Sequence, residues 1–321
     1  MPGALDPRTP AQIEKYLADA LRVIQRKALY SASVDWDAVH AEARETAART
    51  RSYAGTHRLL YRALKQAGGK HSHMALSYRL PGAVERAAAA SAGTAPADGS
   101  GSPPLPEGML IEGAAYLSLP RLSRSSGGPL LARRYATAGS RLVGRLAVPQ
   151  PHGWIVDLRQ NTGGNMWPMI AAVAGLLDRG VLGHFLLPDG QRQAWSLNRS
   201  HISLAGKPVA RSHGRPHRRD RAPLAVLISA RTASAGEAAL VALQAQSPTR
   251  TFGTATAGMT TGNITHVLPD GTRLIISTCH YADSAGQLIS GPIQPDEPAD
   301  PSNHQNALTQ ALTWIAGDGR S

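Results

Sequence analysis

The sequence predicts an α/β protein: a mostly parallel sheet flanked by helices and preceded by a small helical bundle. Two apolar runs, Trp154-Ile155-Val156-Asp157-Leu158 and Leu224-Ala225-Val226-Leu227-Ile228, are each followed by a turn and then a helical stretch. Such nearly continuous apolar strands are covered on both faces, which is the pattern of a parallel sheet. The chain before residue 66 instead repeats its apolar side chains at helical spacing, and strand–helix alternation begins only after Gly113. With 321 residues the chain buries one sizeable core plus a smaller unit.

In order, Ile13, Tyr16, Leu17, Ala20, Leu21 and Ile24 share one helix face. A second helix begins in Val34–Val39 and a third runs from Thr56 to Gln66, giving an N-terminal bundle over 1–88. Residues 89–107, rich in Ala, Gly, Ser and Pro, read as a flexible linker, and 108–321 as the core. There, Tyr116–Leu119 opens a strand, followed by a helix near 130–146, a strand at 154–158, a helix at 165–178, a strand at 224–229 and a helix at 235–245. Lys207 falls in a loop on this reading. A hairpin over 266–282 turns at Pro269-Asp270-Gly271-Thr272, and Ala307–Ile315 closes the chain as a helix.

The net charge of +12 raises nucleic acid as a partner. Much of it is local, in the basic Pro/Gly-containing loop Arg211–Arg221, where no aromatic residue interleaves the arginines. Stacking of the kind single-strand binders use is therefore missing. A solvated loop is the first reading, attraction of acidic peptides or a free carboxylate the second, and nucleic acid the third. No stretch of eighteen apolar residues exists, so no membrane span is expected. The first residues lack a signal-peptide apolar region, which leaves the cytoplasm, or export if a leader lies outside this sequence. The single cysteine, Cys279, has no partner for an internal disulfide and reads as a buried strand thiol. No metal or cofactor is expected: His71-Ser72-His73 has no third ligand beside it.

Chemistry concentrates at Ser234, in Thr232-Ala233-Ser234-Ala235-Gly236-Glu237, at the corner between an apolar strand and a helix. The helix N-terminus points its amides at whatever occupies that corner, so negative charge on an attacked carbonyl oxygen is stabilised there. The same window also makes an ordinary helix start, with Ser234 as N-cap and Glu237 three residues on. Taken alone it supports both readings. A second strand–loop–helix, Asp157-Leu158-Arg159-Gln160-Asn161-Thr162-Gly163-Gly164, carries two glycines that let backbone approach a ligand. A third loop is Gly253-Thr254-Ala255-Thr256-Ala257-Gly258.

Together these segments, with the late Pro295-Asp296, resemble the tail-specific (C-terminal processing) serine peptidase family, in its tricorn-core and retinoid-binding-protein-like branch. The resemblance covers roughly residues 108–300 and leaves no room for a PDZ insert. It implies a ClpP/crotonase-like core, with Ser234 as nucleophile, Gly163, Gly164 and the Ala235 amide as the oxyanion hole, and Thr256 as a site threonine. The processing branch places a lysine where this chain has Met259, which takes no proton. The tricorn-like branch uses a histidine after the helical bundle, and Gly68-Gly69-Lys70-His71-Ser72 puts His71 there, with His73 as the lesser candidate. An acid orienting that histidine is missing before Pro295; Glu237 either orients the base or caps its own helix, with Asp283 and Asp296 more distant choices. The implied activity is hydrolysis of a peptide or protein substrate through an acyl-enzyme. A non-catalytic binding module on the same fold and an esterase are the alternatives.

Overall fold

The computed structural model describes residues 8–76, 104–123, 128–199, 201–211, 222–300 and 306–317. Most of the linker reading and nearly all of the basic loop 211–221 lie outside the described residues. The chain forms two compact units: Met1–Ala95 with Leu187–Asp189 and Thr261–Cys279, and Pro96–Leu186 with Gly190–Thr260 and His280–Ser321.

Among the described residues the first unit is built on three α-helices. Helix α1 (Pro10–Lys27) starts at a capping box between Thr9 and Gln12 with Pro10 in the first turn, and buries the predicted stripe Ile13, Tyr16, Leu17, Ala20, Leu21 and Ile24. Asp35 caps α2 (Trp36–Arg49), and α3 (His57–Gly68) ends where Gly69 takes φ 71°. Leu60 and Leu64 of α3 share one apolar cluster with α1 and with Met74, Leu268, Leu274 and Ile276. Those last residues come from strand β1 (His73–Ala75) and from the hairpin that joins β11 (Thr261–Val267) to β12 (Arg273–Ala282). Met74 pairs antiparallel with Leu274, so the late hairpin is packed with the N-terminal helices.

The second unit holds a sheet ordered β14 (Glu297–Pro298), β10 (Thr249–Gly253), β9 (Leu224–Ile228), β4 (Trp154–Asp157), β3 (Ala114–Ser118), β2 (Glu107–Ile111). All its pairings are parallel except the β2–β3 hairpin. Every residue of β4 and β9 is buried. Val156, Val226 and Ile228 face one cluster with the helices α4 (Gly128–Ala147), α5 (Met166–Ala172) and α6 (Ala235–Gln244). Ile155, Ala225 and Leu227 face another, closed by Ala307, Ala311 and Ile315 of α7 (Asn306–Ala316). Two covered faces explain why these strands do not alternate with polar residues.

Two features differ from the sequence reading. The helix expected at 165–178 stops at Ala172, with a short 3-10 turn at Ala174–Leu176. The stretch after it forms an antiparallel meander, β5 (Gly180–Leu186), β6 (Arg192–Leu197), β7 (His201–Leu204) and β8 (Lys207–Arg211), so Lys207 opens a strand. Residues His280–Ala282 of β12 pair with β5, and Leu288–Ile289 (β13) with β12. No helix among the described residues is long and apolar enough to cross a membrane.

Candidate active site

Strand β9 delivers the chain into a turn that is tied to the neighbouring turn after β4. Thr232 Oγ1 donates to the Leu158 carbonyl at 2.8 Å, Ser229 Oγ to the Arg159 carbonyl at 2.7 Å, and the Ala233 amide to the Asn161 carbonyl at 3.0 Å. Ser234 follows with φ 54° and ψ −114°, a left-handed backbone that costs a non-glycine residue about 1–3 kcal/mol. It is only partly buried, whereas Ala235, Gly236 and Glu237 are buried.

Glu237 holds this conformation. Its fully buried carboxylate accepts from the Ser234 amide at 2.7 Å, Thr256 Oγ1 at 2.6 Å, the Gly258 amide at 2.7 Å and the Met259 amide at 2.9 Å. Burial pushes this carboxyl above its ordinary pKa, and the hydrogen bonds from Thr256, Ser234, Gly258 and Met259 oppose that shift. Glu237 thus clamps the serine turn to the Gly/Thr loop. Thr256 is the second half of the clamp: its hydroxyl also accepts from the Ile293 amide at 2.9 Å. Met259 takes part through its backbone, so the lost lysine leaves the loop braced.

The glycine loop packs directly on the serine. Gly163 has φ 99°, and a Cβ there would meet the Ala233 carbonyl and Ser234 Cβ at 2.9 Å. Its amide, expected as an oxyanion donor, donates instead to Asn161 Oδ1 at 3.0 Å. The amides of Gly164 and Ala235 make no hydrogen bond among the described residues. Gly164 has φ 121°, and a Cβ would overlap the Leu122 carbonyl. Asn161 is the hub that sequence reasoning passed over: fully buried, it also donates through Nδ2 to the Leu119 carbonyl at 3.0 Å. The motif's aspartate and arginine pair with each other, Arg159 Nη2 donating to Asp157 Oδ2 at 2.6 Å, with Tyr116 donating to the same oxygen at 2.6 Å. Asp296 accepts from the Thr251 amide and hydroxyl, both at 2.8 Å, and Asp283 accepts from the Gln287 amide at 2.8 Å. Asp296 thereby ties the segment before β14 to strand β10, and Asp283 stabilises its own turn.

The second unit therefore brings Ser234, Ala235, Glu237, Gly163, Gly164 and Thr256 together. His71 belongs to the first unit, just past the Gly69 turn. Its Nδ1 lies 2.7 Å from Thr261 Oγ1. Burial pushes its pKa down to about 4, aided by the positive charges of His73, Lys65 and Lys70. A backbone hydrogen bond to Thr261 opposes the shift. His73 sits on strand β1 and turns its Nδ1 to the His71 carbonyl at 3.1 Å.

The family model of peptidase family S41 matches residues 115–299. The chain belongs to that family. The four ordered motifs fall inside the matched residues, and His71 precedes them. The chain is 27% identical over 311 residues to the nisin-resistance protein of Lactococcus lactis subsp. lactis, covering 95% of this chain and 88% of that protein. Its fold is similar to that of a lipoprotein from Streptococcus agalactiae, with a TM-score of 0.74, 25% identity and 99% of each chain covered. The photosystem II D1 C-terminal processing protease shares the fold at a TM-score of 0.60 and 17% identity, over 95% of this chain and 97% of that one. The resemblance drawn from the motifs thus leads to the S41 peptidases and their fold.

Proposed function

We propose that this S41 member is a serine-type peptidase that works through an acyl-enzyme on Ser234. The observation that carries the reading is the strained Ser234 backbone, φ 54°, held at a strand–helix corner by the buried Glu237 carboxylate. Strain of this kind persists where surrounding structure over-determines it, and it clusters at active sites. The Ser234 hydroxyl adds to the scissile carbonyl carbon while His71 Nε2 takes its proton. The oxyanion sits against the Ala235 and Gly164 amides at the head of α6. Collapse of the tetrahedral species breaks the C–N bond, and His71 returns the proton to the leaving amine. Water, deprotonated by the same histidine, then hydrolyses the ester. Glu237 and Thr256 position the nucleophile, and Gly163 permits the close approach.

The similarity to a protein named for nisin resistance makes nisin the first substrate to test, and mass spectrometry of the products locates the bond cut and shows whether a C-terminal segment is removed. The lipoprotein among the solved relatives supports export as the location. A fluorophosphonate should label the wild-type protein and leave a folded Ser234→Ala variant unlabelled. Equal labelling of the two would sink the reading in favour of a binding module. An esterase would label in the same way and is separated by cleavage of ester but not peptide substrates.

A further inference from the structure

Lys65 stands half-buried in the last turn of α3, and among the described residues no carboxylate lies against it. Its ammonium turns to backbone instead. Nζ donates to the Lys70 carbonyl at 2.7 Å and to the Ser72 carbonyl at 2.9 Å, the two carbonyls on either side of His71. The direction of both bonds is fixed, because an ammonium only donates and a carbonyl only accepts. The loop they hold is short and folds back on its own helix. Gly69 reverses the chain with φ 71°, and the Ser72 amide donates to the Gly69 carbonyl at 3.2 Å. Ser72 is fully buried and packs so closely that a Cβ on Gly68 would overlap its hydroxyl. The Tyr61 ring centroid lies 6.0 Å from the Lys65 ammonium, one turn back along α3. Hydrogen bonds from a charged donor are roughly twice as strong as neutral ones, so a lysine ties this loop to the helix more firmly than an amide side chain would.

We infer that Lys65 is the positioning residue for His71: it fixes the backbone on both sides of that residue and so sets where the imidazole stands. This rests on the reading of His71 as base. Lys65 takes no proton itself and acts through the histidine. The same ammonium bears on the ring electrically. Burial first, then the positive charges of His73, Lys65 and Lys70, hold the His71 pKa down, with a backbone hydrogen bond to Thr261 opposing them. A carboxylate in place of Lys65 would push that pKa the other way.

The test compares Lys65→Met, which keeps the stem and removes the donors and the charge, with Lys65→Arg, which restores both. One readout is the rate of fluorophosphonate labelling at Ser234 per folded molecule. The other is the NMR titration of the His71 ring, identified by its loss in His71→Ala. Lys65→Met should slow labelling at neutral pH about tenfold, the effect of one hydrogen bond from a charged group, and should move the His71 titration up from about 4 toward the ordinary histidine value. Lys65→Arg should stay within about threefold of wild type with the titration unmoved. Lys70→Met removes a neighbouring positive charge but leaves both carbonyl bonds, and should label within about twofold of wild type. If Lys65→Met does not fold, Lys65→Gln replaces it and should slow labelling in the same direction. Wild-type labelling per folded molecule in Lys65→Met, slowing with the His71 titration unmoved, or equal slowing in Lys65→Arg or Lys70→Met would overturn the proposal while leaving His71 as base. His71→Ala serves as the separate control: unchanged labelling there would remove the base itself, and the proposal with it.

Discussion

A carboxylate with four donors around it and no solvent cannot be replaced cheaply, and at Glu237 those donors are the serine's own amide and the loop opposite. In Glu237→Gln one acceptor oxygen becomes an NH₂ that faces amide hydrogens. Two donors lose their acceptor, which costs about 2–5 kcal/mol and should lower Tm by roughly 10 °C, with a parallel fall in Ser234 labelling. Unaltered melting and labelling would show that the clamp carries no load. His71 gives the residue scale its pH dependence. Its folded pKa is depressed to about 4, so the neutral ring, the form that acts as base in the proposed mechanism, persists well below pH 6.5. The acid limb of kcat/KM should therefore fall near pH 4, not near the ordinary histidine value. The unfolded state binds the proton first, so this group's stability contribution is present above pH 6.5 and is lost as pH falls toward 4. An acid limb centred near 6.5 would contradict the environment described for His71. The serine corner and the Glu237 cap were legible because three residues of local spacing encode them. The Thr261–His71 contact was not, since the partners stand 190 residues apart and neither threonine nor histidine advertises the pairing. The Gly163 amide was misread for a related reason: the motif shows that glycine is needed, and only the Asn161 side chain shows where its N–H goes.

At the scale of elements, the parallel strands could be read because two covered faces demand apolar residues throughout, and the meander could not because its strands are short and half solvated. In β6 only Trp195 and Leu197 are buried, too few to distinguish a strand from a loop. The same contrast is measurable. Leu227→Ala in β9 opens a cavity in a fully buried cluster and should cost about 2–5 kcal/mol, whereas Val181→Ala at an exposed position of β5 should stay within about 0.5 kcal/mol. Chemical denaturation of the two variants checks both, and comparable losses would mean that the layers are not organised as described. Between elements, Gly163→Ala presses a methyl group on Ser234 from the neighbouring turn and also strains φ 99°. It should slow Ser234 labelling by at least tenfold, more than its effect on Tm predicts, because it moves the proposed nucleophile itself. A loss of labelling no greater than the loss of folded protein would reduce Gly163 to a packing residue.

Over the whole molecule the dominant sequence property is the +12 charge, and much of its excess lies in one segment, with Arg215, Arg218, Arg219 and Arg221 closely spaced before the strand that leads to Ser234. Long-range charge acts on association more than on chemistry, since it attracts substrate and transition state alike. Replacing these four arginines by glutamine should therefore raise KM for an acidic peptide and leave kcat nearly unchanged. The difference should shrink as salt rises, because exposed charges are screened over about 8 Å at physiological ionic strength. A neutral peptide supplies the control: it has no charge for the segment to attract, so its KM should not follow salt or substitution. If both peptides respond equally, the segment acts through its conformation and not its field. If neither responds, the charge is a solvated surface with no part in substrate capture, and the preference among peptides must come from the groups around Ser234 alone.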